Sequence, residues 1–315
     1  MGREALFAKK VSEVPAPLTF ALNAVAAKDA LKPDIAEEIF VRAGNAAETG
    51  GIEWLAEGRA LDIPFAGDPK AVNEACRAAV RASGDWRIDL NVVPREGRRK
   101  KLLVADMDST IIGCECIDEL ADMTGLKLQV ANITERAMRG ELDFEDALKM
   151  RVALLKGLPL EALARVYAER VRLNPGANAL VRIMRANGAH CVLVSGGFTY
   201  FTSRVAAEAG FDDQTSNRLL DDGKVLTGEV GAPILGRAAK LEALENTAKK
   251  LGLDLSETLA VGDGANDLGM IERAGLGVAY HAKPVVAAAS DAAIRYGDLT
   301  ALLYLQGYRE TEIRR

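Results

Sequence analysis

The sequence of 315 residues is poor in cysteine and histidine, with four of the first and two of the second. So few scattered cysteines do not make a disulfide framework, and one C-x-C pair without a second pair or a histidine cluster does not complete a zinc site. Buried thiols in a protein of the reducing cytoplasm are the better interpretation. Two histidines also leave Ser-His-Asp chemistry little to work with. The residues concerned are Cys76, Cys114, Cys116, Cys191, His190 and His281.

Long apolar runs and an excess of positive charge are also lacking. No apolar run approaches the roughly 20 residues that a membrane helix requires, so no membrane partner is expected. Lysine and arginine number 40 against 45 aspartate and glutamate, a net charge of −5, which argues against nucleic acid as the main partner and suits a small substrate. The length favours two domains. The oligomeric state stays open, with a homodimer among the options.

Three short apolar runs each end in a cluster of polar residues. Residues 101–105 (KLLVA) lead to Asp106 and Asp108, residues 190–194 (HCVLV) lead to Ser195-Gly196, and residues 258–261 (TLAV) lead to GDGAND. Short continuous apolar runs are typical of buried parallel strands, and ligands of such sheets bind beyond the carboxyl ends of the strands. This arrangement allows the three clusters to converge on one crevice.

Asp106 and Asp108 alone leave several interpretations open. Two carboxylates two residues apart at a strand end can form a metal site, an acid/base pair, or a nucleophile with its helper. An isolated Asp-x-Asp-Ser is more often a turn that caps the next helix. Lys240, on a predicted helix, would by itself be assigned to the solvated surface. Only the full set of clusters outweighs these structural alternatives.

The full set resembles the motifs of the haloacid dehalogenase superfamily and, in detail, those of its phosphoserine phosphatases. Residues 106–110 (DMDST) are similar to the first motif, 195–196 (SG) to the second, Lys240 to the third and 262–267 (GDGAND) to the fourth. Four motifs in the right order are a specific signal where one alone would be weak. The resemblance covers about residues 100–300 and implies an α/β fold, a Rossmann-like parallel sheet with an inserted helical cap.

The resemblance also implies a reaction. Asp106 would be the nucleophile that forms an aspartyl-phosphate, and Asp108 the general acid and base that serves the leaving alkoxide and then the attacking water. A Mg²⁺ cofactor would be held by Asp106, by the backbone carbonyl of Asp108 and by Asp263, since a hard oxygen site with few carboxylates suits this ion.

The same resemblance assigns the remaining motif residues to the phosphate. Ser195 and the Gly196 amide would donate hydrogen bonds to it, and glycine allows close approach of the backbone. Lys240 would supply positive charge and Asn266 a neutral amide contact. Asp267 would orient waters or Lys240.

The substrate is implied by residues of the cap. Glu115 resembles the acidic residue that faces a substrate ammonium group, Arg151 the arginine that grips a carboxylate, and Phe144 and Met138 the apolar pocket wall. Each also has a structural alternative, as a helix-start charge, a surface ion pair or cap core. Together they imply hydrolysis of O-phospho-L-serine to L-serine and phosphate, the last step of serine biosynthesis.

Three other functions stay open. A related phosphatase or phosphotransferase could act on a different phosphomonoester. An aspartyl-phosphate transport ATPase would need membrane spans and usually a lysine where Met107 stands. A non-catalytic metabolite-binding protein led by the N-terminal segment fits poorly with the intact Asp106 and Asp108.

The first hundred residues lie outside the resemblance and follow a different pattern. Their pattern predicts the order strand, helix, strand, strand, helix, strand. This is the order of a ferredoxin-like module, similar to small ACT-type regulatory domains. Residues 1–16 fit no element and are expected to be a disordered extension. The predicted elements are 18–24, 33–43, 52–56, 59–65, 68–83 and 86–92.

These patterns give a domain plan. The ferredoxin-like domain would span 17–94 and the phosphatase domain 95–315, with a cap of about four short helices at about 113–186. The basic stretch Pro94–Lys101 is interpreted as a solvated linker, since a basic run is more often wet surface than a binding patch. A hairpin is predicted within residues 217–230.

Overall fold

The computed structural model describes residues 17–27, 30–83, 86–139 and 141–314, without the side chains of Ser83 and Met138. The extension predicted for residues 1–16 falls outside the described residues. No helix in these ranges is both long and apolar enough to cross a membrane.

The N-terminal domain is an antiparallel sheet with two helices, as the ferredoxin-like pattern predicts. Its strand order is β3-β4-β1-β5, with the short β2 also paired to β4, and every pair is antiparallel. Among the described residues of this domain, β2 is the one strand that the pattern did not predict. The elements are β1 (Phe20–Ala26), α1 (Pro33–Ala46), β2 (Glu48–Thr49), β3 (Glu53–Ala56), β4 (Ala60–Ala66), α2 (Pro69–Ser83) and β5 (Ile88–Pro94).

The rest of the chain forms a six-stranded parallel sheet with helices around it, which confirms the predicted α/β fold. The order is β13-β12-β11-β6-β7-β8, so β6 and β11 lie at the centre and are buried along their whole length. The strands of this sheet are β6 (Leu102–Ala105), β7 (His190–Phe198), β8 (Asp213–Asn217), β11 (Thr258–Gly262), β12 (Leu276–Tyr280) and β13 (Ala292–Ile294). A separate two-stranded sheet consists of β9 (Leu219–Asp221) and β10 (Leu226–Val230). The pair β9–β10 is the predicted hairpin.

The helices divide between a cap and the sheet. Four helices, α3 (Cys116–Met123), α4 (Lys127–Met138), α5 (Phe144–Ala153) and α6 (Leu160–Arg170), lie between β6 and β7 in the chain. The next helix, α7 (Ala177–Ala186), packs against β7 and against α8 (Thr199–Ala209). The insertion predicted for 113–186 thus holds four cap helices and a fifth on the sheet. The others are α9 (Arg237–Leu251), α10 (Leu268–Arg273), α11 (Pro284–Ala289), α12 (Ala301–Leu305) and α13 (Glu310–Ile313).

One apolar core joins the two domains. Ala21 and Val93 of the N-terminal sheet belong to the same buried cluster as Leu302 of α12. Beside this cluster, the Asn91 side chain donates to the Ala293 carbonyl at 3.2 Å and accepts from the Ala293 amide at 2.9 Å. These two bonds satisfy the backbone groups of Ala293, in the edge strand β13, which would otherwise be open to pairing with another chain.

The interpretation of Pro94–Lys101 as a solvated linker is wrong for Arg98. Its side chain is only 11% exposed and its Nη1 donates to Asp62 Oδ2 at 2.6 Å. The same guanidinium donates to the carbonyl oxygens of Tyr304 at 3.2 Å and Leu305 at 2.9 Å. Arg98 therefore connects the N-terminal sheet to the end of α12.

Candidate active site

The polar clusters meet at the carboxyl end of the parallel sheet, under the cap. Because neighbouring parallel strands all end at the same edge, residues after β6 and β11 and residues at the carboxyl end of β7 line one cavity of about 620 Å³. Eight of the nine predicted site residues line it, and the ninth, Lys240 of α9, lies buried behind them. The eight are Asp106, Asp108, Glu115, Arg151, Ser195, Gly196, Asp263 and Asn266.

Lys240 bridges two buried carboxylates. Its Nζ lies 2.7 Å from Asp106 Oδ1 and 2.6 Å from Asp267 Oδ1, and all three side chains are at most 7% exposed. Burial by itself lowers the pKa of Lys240, but the adjacent Asp106 and Asp267 outweigh it and raise the pKa above its usual value. Burial raises the pKa of Asp106, and Lys240 opposes that shift. The lysine is therefore held as a cation against the first strand end.

Asp106 keeps one oxygen free. Its Oδ1 accepts from the Met107 amide at 2.8 Å as well as contacting Lys240. Its Oδ2 has no hydrogen-bond partner among the described residues and belongs to a side chain that lines the cavity. The carboxylate is thus oriented by two donors while its second oxygen stays available to a reacting group.

Asp108 is fixed by the end of the neighbouring strand. Its Oδ1 accepts from the Cys116 amide at 2.9 Å and its Oδ2 from Ser195 Oγ at 3.1 Å. A Cβ at Gly197 would lie 2.8 Å from Asp108 Oδ2, so only glycine allows this approach. Ser109, the next residue, has a left-handed φ of 56°, which turns the chain sharply after Asp108. Burial raises the pKa of Asp108, and the Cys116 and Ser195 bonds counteract it in part.

Three carboxylates can hold a metal ion. Oxygens of Asp106, Asp263 and Asp267 all lie within 4.8 Å of one another. Asp263 is oriented by Thr110, whose Oγ1 donates to its Oδ1 at 3.2 Å, and Asp267 Oδ2 accepts from the Gly264 amide at 3.0 Å. An all-oxygen carboxylate set fits a hard divalent cation such as Mg²⁺.

The cap contributes charges of both signs to the same cavity. Glu115 stands at the start of α3, and its Oε1 accepts from Ser109 Oγ at 2.7 Å. Although Glu115 is open to the cavity, desolvation by surrounding protein atoms and the Asp108 carboxylate raise its pKa to about 7. Among the described residues, the Arg151 guanidinium makes one hydrogen bond, from its Nε to the carbonyl of Ala147 at 3.2 Å. The rest of its guanidinium is free to meet an anion in the cavity.

Phe144 connects the cap to the sheet. A Cβ at Gly196 would lie 3.2 Å from its Cζ, and a Cβ at Gly236 would lie 3.2 Å from its Cδ1. The ring therefore rests on the backbone at the end of β7 and at the start of α9, and it forms the apolar wall that was predicted for it. The side chain of Met138, predicted for the same wall, lies outside the described residues.

Three charged cavity residues were not found from the sequence. Asp118 lies one helical turn after Glu115, and Arg237 one turn before Lys240, so helical spacing from a motif residue would have found both. Lys283 precedes α11, and its amide donates to the Asp263 carbonyl at 3.4 Å. The side chains of Arg237 and Lys283 make no hydrogen bond or ion pair with any described residue.

The sequence also matches a known family model. The model described as haloacid dehalogenase-like hydrolase matches residues 103–272, more than half of the chain. This chain belongs to that family. The matched stretch contains every residue placed at the candidate site in this subsection except Lys283.

Individual relatives agree with the family. A protein named phosphoserine phosphatase from Archaeoglobus fulgidus is 44% identical over 220 residues, 69% of this chain and 64% of that protein, so the match leaves about a third of the relative uncovered. A probable phosphoserine phosphatase from Schizosaccharomyces pombe is 37% identical over 297 residues, 92% of this chain and 97% of that protein. The crystal structure of a probable phosphoserine phosphatase from Vibrio cholerae superposes with a TM-score of 0.75 at 30% identity, covering 94% of this chain and 88% of that one. The matches to the Schizosaccharomyces pombe and Vibrio cholerae proteins are long enough to include both domains.

Proposed function

We propose that this protein is a Mg²⁺-dependent phosphoserine phosphatase, which hydrolyses O-phospho-L-serine to L-serine and phosphate as the final step of serine biosynthesis. One observation carries the proposal. A single cavity has the groups assigned to the phosphate on its sheet side. On its cap side it has one acidic side chain, Glu115, and one basic side chain, Arg151. The names of the relatives described above support the same substrate.

The free oxygen of Asp106 is the nucleophile of the first step. It attacks phosphorus, the bond from phosphorus to the serine oxygen breaks, and an aspartyl-phosphate forms. Ser195, the Gly196 amide and Asn266 hold the phosphate oxygens, while Lys240 neutralises charge from behind Asp106. The lysine also keeps the nucleophile in one rotamer through its 2.7 Å contact.

Asp108 is the general acid of the first step and the general base of the second. Its raised pKa favours the protonated acid that gives a proton to the leaving serine alkoxide. In the second step the resulting carboxylate takes a proton from the water that attacks phosphorus. Cleavage of the acyl-phosphate bond then releases phosphate and restores both carboxylates to their starting states.

Mg²⁺ would be held by Asp106, Asp263 and the backbone carbonyl of Asp108. When bound, such an ion neutralises charge on the transferring phosphoryl group. Asp267 takes the positioning role, since both of its oxygens are already bonded, one to Lys240 and one to the Gly264 amide.

The cap residues select the amino acid. The free nitrogens of Arg151 suit a carboxylate, because a guanidinium can donate two parallel hydrogen bonds to it. Glu115 pairs with the ammonium group, and the contact from Ser109 keeps its carboxylate pointed in a fixed direction. A zwitterion with a phosphate on its side chain satisfies all of these groups at once.

A phosphate-release panel tests the proposal. Purified enzyme is assayed against phosphoserine, phosphothreonine, phosphotyrosine, a sugar phosphate and an aryl phosphate, with Mg²⁺ and with a chelator. We expect the highest kcat/KM for phosphoserine and loss of activity without the metal. A higher kcat/KM for a sugar phosphate would reject the substrate while leaving the phosphatase assignment intact.

A further inference from the structure

A second cavity lies where the two domains and their linker meet. Its volume is about 410 Å³, and none of its lining residues lines the active-site cavity. Four arginines line it, Arg95, Arg98, Arg99 and Arg309, against two carboxylates, Glu53 and Asp62. We call it the junction cavity. Nothing in the proposed chemistry uses it.

Arg98 and Asp62 form the closed wall of the junction cavity. Their contact of 2.6 Å joins side chains that are 11% and 4% exposed. Three further donors of the Arg98 guanidinium reach Asp62 Oδ1 and the carbonyls of Tyr304 and Leu305, so four of its five donors are used. Because the pair is also neutral as a unit, Arg98 is not counted among the arginines that would bind a ligand.

The other three arginines have unused donors. Arg95 makes one contact, at 3.2 Å to Glu53, in which both side chains are 39% exposed, and such exposed pairs contribute little. Arg309 donates once, to the Trp54 carbonyl at 3.2 Å, and its side chain meets no carboxylate within ion-pair distance in the described ranges. Its remaining donors are open.

Arg99 is oriented by two neighbours and still has unused donors. Its Nη2 donates to both carboxylate oxygens of Glu312 at 2.9 and 3.0 Å, and its guanidinium carbon lies 4.0 Å above the Tyr308 ring. Its Nε and Nη1 have no acceptor among the described residues. Because the contacts with Glu312 and Tyr308 orient the guanidinium plane, the unused Nε and Nη1 donors are positioned to bind an anion.

We propose that the junction cavity binds a small molecule with two or more anionic groups, through Arg95, Arg99 and Arg309. Carboxylate and phosphate oxygens share the geometry that the arginine fork matches. The volume falls in the range of small-molecule sites. Arg95 and Arg99 belong to the linker and Arg309 to the C-terminal segment, so one bound anion would tie these parts together beside the N-terminal sheet.

The site couples ligand binding to stability rather than to the chemical step. A ligand that binds only the docked arrangement of linker and C-terminal segment stabilises the folded chain by mass action. We therefore expect a rise in thermal midpoint with anion concentration. The rise should persist when the active site is disabled, because the two cavities share no residue.

Titration calorimetry on the full chain tests this proposal, with citrate and inorganic phosphate as probes. All titrations use an Asp106→Asn background, so that turnover cannot contribute heat. The test variant is Arg95→Gln/Arg309→Gln, and the control is Arg42→Gln, which removes an exposed arginine paired with Glu38 on α1. Circular dichroism and aryl phosphatase activity in the wild-type background verify that the test variant folds.

We expect the control to bind at least one probe and the test variant to bind it on the order of tenfold more weakly or worse, as losing two charge-assisted contacts implies. Stronger binding of citrate would identify a polycarboxylate site, and stronger binding of phosphate a phosphate site. Phosphate held at the active site alone would keep the same affinity in the test variant and would reject the proposal. Absence of binding for both probes at millimolar concentration would reject it as well.

Discussion

Replacing Arg98 by methionine should destabilise the whole protein, although the residue does not line the active-site cavity. The substitution keeps an apolar stem of similar length but leaves Asp62, 4% exposed, with only the Asn23 amide at 2.8 Å as a partner. Breaking a buried ion pair by removing one partner costs about 3–5 kcal/mol. Arg98→Met also removes the donors that reach the last carbonyls of α12. We therefore expect a loss of about 3–5 kcal/mol in the free energy of unfolding.

Urea denaturation followed by circular dichroism measures this loss. The matched control is Arg95→Met, because its pair with Glu53 is 39% exposed on both sides and should contribute less than about 1 kcal/mol. Arg98→Met/Asp62→Leu should recover much of the stability, since the buried charge is then gone. A loss below about 1 kcal/mol for Arg98→Met, similar to that of an exposed pair, would refute the conclusion that this bridge holds the domains together.

Three further predictions concern catalysis. Asp106→Asn should lose nearly all turnover and form no labelled phosphoenzyme, whereas Asp108→Asn should lose a factor of about 10² to 10⁴ in kcat; phosphoenzyme on Asp106→Asn would contradict the nucleophile. Arg237→Gln/Lys283→Gln should lower kcat/KM about tenfold at low salt with little change in kcat, because two unpaired cations attract the substrate into an acidic cavity. If kcat/KM of the variant and of the wild type depend on salt in the same way, this role is excluded. Because the raised pKa of Glu115, about 7, leaves it increasingly protonated below that pH, kcat/KM for phosphoserine should fall there more steeply than for an aryl phosphate; parallel profiles would contradict the ammonium contact.

The meeting of the candidate site residues in one cavity could be predicted from where these residues stand in the chain. Asp106 and Asp263 directly follow apolar strands, Ser195 stands in the carboxyl-terminal half of β7 after its apolar run, and parallel strands bring these ends to one edge of the sheet. The alternation of the N-terminal strands likewise predicted the ferredoxin-like order, since one face of each strand is buried against helices.

Residues whose role depends on distant partners escaped prediction. Arg98 belongs to a basic run, a pattern that predicts solvated surface. Only the fold brings it beside Asp62, which is 36 positions earlier in the chain. Lys283 is an isolated charge that belongs to no periodic pattern or motif. Since most such lysines are solvated, the sequence offered no reason to place it in the cavity. The packing of α7 on the sheet was not separated from the cap because all of these helices share the same amphipathic period.

The most direct test of phosphoserine as the substrate compares two substrates in one variant. Wild-type enzyme and Arg151→Lys are assayed for kcat/KM on phosphoserine and on an aryl phosphate, which has no amino-acid carboxylate for residue 151 to bind. Losing the bidentate contact in a closed site should cost about 2–5 kcal/mol, or more than tenfold in kcat/KM, on phosphoserine alone. The variant should therefore retain most aryl phosphatase activity while phosphoserine turnover collapses. Equal losses on both substrates would show that Arg151 supports the fold or the closure of the cap and does not recognise the amino acid.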